Sequence, residues 1–274
     1  MNGAFSRISS LLCLLCLPLL MACPRQPTIT ELPPASFEKY WQAYAEQAKQ
    51  AEERRTAFRM KATVQYETPD NNGHRMNALI WGNPDLPVRM DLNAGIGVLV
   101  AQVREDKHHF LLHMTEEKTA YAHQGSNKPF FSIGTPLPFT LELLIYLMNG
   151  RFGPVFGYEA GILQSSQGSR YVLGAKAPAQ GVLSLSQKGL PLAWDGSPPS
   201  GMPGGQGYGW TMDMDYAEED PFLPRRLILK HNKGYSATIH IRGRETLDEL
   251  FPAGRLALEL PPQTAVHPLD AQRE

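Results

Sequence analysis

The sequence predicts a mainly β protein of the α+β class, an antiparallel meander with an amphipathic helix docked on it. Three observations lead there. From residue 58 onward apolar and polar residues alternate with period two, as a half-buried strand requires. These segments arrive every roughly eight to twelve residues through turns rich in Gly, Pro and Asn, so no crossover helices are needed. Helical spacing is confined to one long stretch near the start and one compact apolar run in the middle.

The chain opens with an address. Arg7 precedes an apolar run over residues 11–20, broken only by Pro18 and too short to span a bilayer comfortably. Leu20-Met21-Ala22-Cys23 closes the run and resembles the bacterial lipobox. That resemblance implies a lipoprotein signal peptide over residues 1–22 and a lipidated Cys23 that anchors the mature chain in a membrane. An ordinary signal peptide and an uncleaved anchor are the alternatives. Residues 23–35 read as a tether rich in Thr and Pro, 36–260 as one domain, and 261–274 as a flexible polar tail.

Within the domain, Ser36 is a candidate N-cap. Phe37, Tyr40, Trp41, Tyr44, Ala45, Ala48 and Ala51 then recur on one helical face, ending near Arg54 and Arg55. Residues 58–66 and 76–80 form a hairpin around a turn at 69–73. Strands follow at 88–92, 98–103, 110–114 and 120–123, with a Gly95-Ile96-Gly97 turn between the first two. Residues 139–148 are apolar nearly all round and stop at Asn149-Gly150, a short buried helix with Gly150 beyond its end. Strands are expected again at 161–167, 170–173, 182–186 and 191–194. After a Pro/Gly loop at 195–209 come 210–216 and a last hairpin, 226–230 with 236–242.

Charge and cysteine content exclude several classes of function. The chain has 26 Lys+Arg against 27 Asp+Glu and no block of cations along the sequence, so nucleic acid is excluded as a partner. Cys13, Cys16 and Cys23 all lie at the N-terminus, leaving the domain without a disulfide, a thiolate site or a Cys nucleophile. His108, His109 and His113 suggest a metal, but i and i+4 on a strand are about 13 Å apart, so a surface or mouth position is expected. Asp213 and Asp215 alternate with Met212 and Met214 and read as a solvent face rather than a Ca²⁺ site. The Gly-rich run 204–209 leads into a strand, not the helix that phosphate cradling needs, and no Gly-x-Ser-x-Gly elbow occurs. No catalytic residue, metal ligand or cofactor is assigned, and the chain is read as a non-enzyme. Its surplus is apolar: Trp81, Met90, Val98, Val100, Phe110, Leu112, Met114, Tyr121, Phe130, Phe131 and the run 139–148 all compete for the interior. They either fill a core or line a hollow.

The order of these features resembles the LolA/LolB superfamily of bacterial lipoprotein carriers, and within it the outer-membrane LolB branch, over about residues 41–242. The matching features are Trp41 in the first helix, Phe58-Arg59-Met60-Lys61-Ala62 opening the first strand, and Val88-Arg89-Met90-Asp91-Leu92-Asn93 before the Gly95-Ile96-Gly97 loop. Glu117-Lys118-Thr119-Ala120-Tyr121, Pro136-Leu137-Pro138-Phe139 with the Leu-rich helix, and Leu223-Pro224-Arg225-Arg226-Leu227 complete the series. The resemblance implies a curved sheet forming an incomplete β-barrel, helices over its open side, and an apolar cavity between them. It assigns acyl-chain binding to Met90, Val98, Val100, Phe110, Leu112, Met114, Leu141, Leu144 and Ile145, and membrane delivery to Ile96. The implied partners are acyl chains of lipoproteins or lipids, the membrane, and a periplasmic carrier protein, with the chain lipid-anchored in the outer membrane and facing the periplasm. A structural or assembly lipoprotein with a filled core and a protein partner stands as the alternative.

Overall fold

On a pleated strand, alternation places every second residue on one face, and the sequence sustains it long enough to build a single large sheet. The computed structural model describes residues 34–53, 55–70, 72–124, 137–163, 169–174, 176–196 and 209–269. Among these, fourteen strands form: β1 (Ala57–Glu67), β2 (Gly73–Gly82), β3 (Val88–Ala94), β4 (Val98–Glu105), β5 (His109–Met114), β6 (Thr119–Gln124), β7 (Ala160–Leu163), β8 (Ser169–Leu173), β9 (Val182–Leu185), β10 (Pro191–Asp195), β11 (Trp210–Tyr216), β12 (Pro224–His231), β13 (Ser236–Leu247) and β14 (Ala265–Pro268). Their order is β14-β6-β5-β4-β3-β2-β1-β13-β12-β11-β10-β9-β8-β7. All neighbours run antiparallel except β14, which lies parallel to β6. The two ends of the sheet are not joined, so the barrel is incomplete, as expected.

The register assigns the faces. Met60, Ile80, Met90, Val103, Leu112 and Tyr121 are successive cross-strand partners, and five of the six are buried. They form one row of the concave face, and three helices lie over that side. Helix α1 (Pro34–Glu53) begins two residues before the expected Ser36 cap. Its Tyr40, Tyr44 and Ala48 are buried, and Tyr44 Oη donates to the carbonyls of Phe152 (3.2 Å) and Gly157 (2.9 Å). The turn between β9 and β10 presses on the same helix. A Cβ on Gly189, at φ +79°, would come within 2.4 Å of the Tyr44 amide nitrogen, so only glycine fits there.

Helix α2 (Leu141–Met148) buries six of its eight residues, and Thr140 caps it by accepting from the Leu143 amide at 3.1 Å. Gly150 follows at φ +70° as the sequence predicts. Helix α3 (Gly153–Phe156), absent from the sequence expectation, adds Val155 and Phe156 to the core. Arg151 fastens the corner. It donates to both carboxylate oxygens of Glu52 (2.9 and 2.8 Å) and to the Pro84 carbonyl, and it stacks over the Tyr146 ring at 4.2 Å.

The convex face holds two departures from expectation. Trp81, Arg89 and Arg104 point outward, which corrects the expectation that Trp81 competes for the interior, yet they meet protein. Their donors reach the carbonyls of Arg255 (3.2 Å), Ala257 and Leu256 (3.0 Å), around a short helix α4 (Ala253–Leu256). Asn83 and the Phe251 backbone exchange a further pair of hydrogen bonds. The chain then continues through the segment expected to be a flexible tail, where residues 265–268 instead pair with β6 as β14. The unpaired backbone of the edge strand β6 accounts for this, since it captures an extended segment by main-chain hydrogen bonds.

Arg244 ties roof to sheet. It lies opposite Met60 on β1, and its guanidinium donates to the Met148 carbonyl through Nε (2.9 Å) and Nη2 (2.7 Å), and to that of Pro224. Met148 is the last residue of α2, where the helix carbonyls are unsatisfied and the dipole is negative. Burial pushes the Arg244 guanidinium down to about 10, which still leaves it protonated at neutral pH. Replacing Arg244 by Leu strands two carbonyls, and a loss of about 2–4 kcal/mol in urea unfolding is expected with an unchanged denaturant slope.

Candidate functional site

Burial along the concave face is graded, and the gradient defines the site. The innermost rows lie under the helices. One row further out, Leu92 and Met114 are half-buried beside the buried Ala62, Ala78 and Ala101. In the outermost row, Val64, Met76, Ala94 and Val98 are successive partners, and none of them is buried. This apolar shelf ends at the β3–β4 turn. Gly95 (φ +52°) and Gly97 (φ +84°) adopt left-handed conformations, and no heavy atom lies within 4 Å of where a Cβ would stand on either. Between them Ile96 is fully exposed, at 104% of its reference area, and Val98 beside it is 65% exposed. A single exposed Ile is ordinary, but two β-branched residues flanking Gly97 on a projecting turn, continuous with an apolar face, form a tip suited to an apolar medium.

The sequence-assigned site residues divide accordingly. Met90, Phe110, Leu112, Leu141, Leu144 and Ile145 all belong to one packed cluster between sheet and helices, and Met114 packs against its edge. Val98 lies on the concave face but in its exposed outer row, and Val100 stands outside the cluster, so neither lines a packed inner wall. For Val100 the cause is a bulge. Asn93 pairs with Leu99 and Leu92 with Ala101, which leaves Val100 as the extra residue. Past the bulge the inward set is Ala101, Val103 and Glu105, the last beyond the expected end of the strand at 103. Ile96 is at the tip of the β3–β4 turn. Cys23, Phe130, Phe131 and the Gly-rich run 204–208 lie outside the described residues.

His113 corrects another expectation. It is buried (3% exposed) on the convex side of β5, partnered with Gln102 and Ala120 rather than at a mouth, whereas His108 and His109 are exposed. Among the described residues no group of three or more His, Cys, Asp or Glu side chains could hold a metal ion. Nor is any described helix long and apolar enough to cross a membrane. A separate cavity of about 600 Å³ opens near the end of α1, bordered by Arg55, Arg151, Arg244 and Phe222, and none of the assigned wall residues borders it.

Glu105 is the buried charge that sequence reasoning missed. It sits on the concave face at 2% exposure, partnered with Val88 and Phe110, and its Oε2 accepts from the Glu142 amide at 3.1 Å. With Thr140, it satisfies the first donors of α2. Burial pushes its carboxyl up to about 7, against the pull of the Glu142 and Leu141 amides, and the charges of Glu142 and Asp106 add to the rise. Both ends of the roof helix are therefore held by ionisable residues of the sheet, Glu105 at its start and Arg244 at its end.

The folded protein binds this proton more tightly than the unfolded chain, so Glu105 stabilises the fold below pH 4.5, its unfolded value, and that contribution is lost as pH rises through about 7. Across this window the native protein should lose up to about 3 kcal/mol from this group. Glu105→Gln should flatten that part of the profile, as read by urea unfolding at several pH values.

No protein-family model matches the chain, and no curated protein matches it in sequence. Solved structures do match. A LolA superfamily protein from Nitrosomonas europaea is similar at 12% identity and a TM-score of 0.51, over 79% of this chain and 97% of that one. A DUF1329 family protein from Desulfovibrio piger is similar at 10% identity and a TM-score of 0.52, over 82% and 97%. The chain has a LolA/LolB-like fold.

Proposed function

We propose, from this LolA/LolB-like fold, that the chain is a lipid-anchored, periplasm-facing protein that binds acyl chains on its concave face and takes part in lipoprotein or lipid transfer at the outer membrane. The observation that carries the reading is the fully exposed Ile96 at the end of an apolar shelf. Cys23 is the anchor, supported by the Leu20-Met21-Ala22-Cys23 sequence. Acyl chains enter over Leu92 and Met114 and reach inward beneath α2. A triacylated cysteine exposes some 40 methylene groups, each worth about 0.8 kcal/mol, so its passage through water needs an enclosure. Binding and release of this kind require no proton transfer and no nucleophile.

The close packing of Met90, Phe110, Leu112, Leu144 and Ile145 favours a second reading, an assembly lipoprotein with a filled interior and a protein partner. Fluorescent fatty-acid probes distinguish the two. Saturable partitioning into the folded protein supports the carrier, and its absence supports the assembly role.

Ile96→Glu should leave the circular dichroism and unfolding midpoint unchanged, because the side chain touches nothing in the fold. Delivery of a fluorescent lipoprotein to liposomes should fall about tenfold or more, the effect of placing a charge where an apolar tip must enter the bilayer interface. Transfer at the native rate would remove the loop from the mechanism.

A further inference from the structure

The C-terminal segment bonds to the convex side of β2, β3 and β4, whereas on β12 and β13 Arg225 and Arg242 stay exposed. The register assembles a cluster there that is invisible along the sequence. Asp215, Arg226, His240, Thr63 and Asn77 are successive cross-strand partners. Two bulges flank this row. On β12 the shift between Asp215 and Tyr216 leaves Arg225 as the extra residue, and on β13 the shift opposite Lys61 and Ala62 does the same for Arg242. The Nε of Arg242 donates to Thr63 Oγ1 at 3.4 Å, holding its guanidinium over the row. Arg225, Arg226, His240, Ile241 and Arg242 border a depression of about 200 Å³.

Its charge is unbalanced. Asp215 pairs with Arg226. Among the described residues no carboxylate pairs with Arg225, Arg242 or the neighbouring Arg75. The His240 ring registers the excess: burial lowers its affinity for a proton, and Arg242, Arg226, Arg75 and Arg225 lower it further. Four guanidinium groups gathered around one imidazole repel one another unless an anion joins them. Guanidinium forks suit a tetrahedral oxyanion, which accepts several charge-assisted hydrogen bonds at once, and a protonated imidazole would add another.

We propose that this depression binds a phosphate-type oxyanion, held by Arg225, Arg226, Arg242 and His240. The phosphate is either a free ion or the headgroup of an anionic phospholipid, and the chemistry of capture is the same for both. The site lies on the face opposite the acyl shelf and works independently of it.

The test uses the full-length chain in a neutral detergent, with the ring signals of His240 followed by NMR across pH, in inorganic phosphate and in chloride at matched ionic strength. Phosphate, and not chloride, should raise the His240 titration midpoint saturably by about one pH unit, because the bound anion offsets the surrounding cations. Arg225→Gln combined with Arg242→Gln should keep the native circular dichroism and weaken phosphate binding about tenfold or more. Binding to phosphatidylglycerol vesicles, set against phosphatidylcholine vesicles, identifies the source. Loss of the anionic preference in the double variant assigns the site to a headgroup, and an unchanged preference with weakened phosphate binding assigns it to the free ion. A His240 midpoint that responds equally to chloride and phosphate, or a double variant that binds phosphate as the native protein does, overturns the proposal. Ile96→Glu should bind phosphate normally, so failure of the carrier reading and failure of this site are separate results.

Discussion

The structure depends on covering one apolar face with very little helix. A sheet of fourteen strands that does not close offers a broad concave surface, and α1, α2 and α3 are what the described chain supplies to roof it. Of these α2 is the most exacting. It has only eight residues, too few to be stable alone, and it is apolar nearly all round. Its position is fixed by residues of the sheet at its two ends, where backbone groups have no partner of their own. Glu105 and Thr140 take the donors at its start, and Arg244 takes the carbonyl of Met148. Without these contacts the helix would still be driven to bury itself, but nothing would set its place along the sheet.

Those fixing residues also show where sequence reading stops. The aromatic stripe of α1, the strand succession and the Gly150 stop were legible because each is a local pattern of period or turn chemistry. Glu105 and Arg244 were not, since a charged residue on a strand reads as solvent-facing unless its distant partner is known. The bulge at Val100 belongs to the same class: one extra residue reverses the facing of everything beyond it, and only the pairing with Leu92 and Asn93 locates it. The C-terminal segment escaped for another reason. Residues 248–269 carry little periodicity, and their order comes from donors on Trp81, Asn83, Arg89 and Arg104, more than 150 residues away along the chain for each bond. For Ile96 the flanking glycines were plain in the sequence, but whether the side chain packed or projected was a tertiary question.

The two faces of the sheet differ in character, and the division of the convex one follows from the C-terminal segment. By covering Trp81, Arg89 and Arg104 it turns part of the convex face into interior, so that Arg89 is only 6% exposed and is held by Asp91, the Ala257 carbonyl and the Trp81 ring, while its Nε has no hydrogen-bond partner. The part at β12 and β13 keeps its charges in water. The absence of a cation block in the sequence is compatible with a concentrated patch in the fold, because Arg225 and Arg226 on β12 and Arg242 on β13 come from paired strands, with Arg75 on β2 one strand beyond, across β1.

The packed interior can be reconciled with a carrier by comparing magnitudes. Lifting α2 would expose six buried side chains, at roughly 1.5–3 kcal/mol each, or of order 10–20 kcal/mol in all. An empty protein therefore keeps its roof closed, and the shelf at Leu92, Met114 and Val98 is the apolar surface it leaves open. Three acyl chains taken from water bring roughly 30 kcal/mol of transfer free energy, which exceeds the cost of opening. On this reckoning a filled core is the resting state expected of a carrier whose cavity forms only around its cargo, and under the proposed function the graded burial of the concave face would set the order of events: first contact at the half-exposed rows, then displacement of the roof.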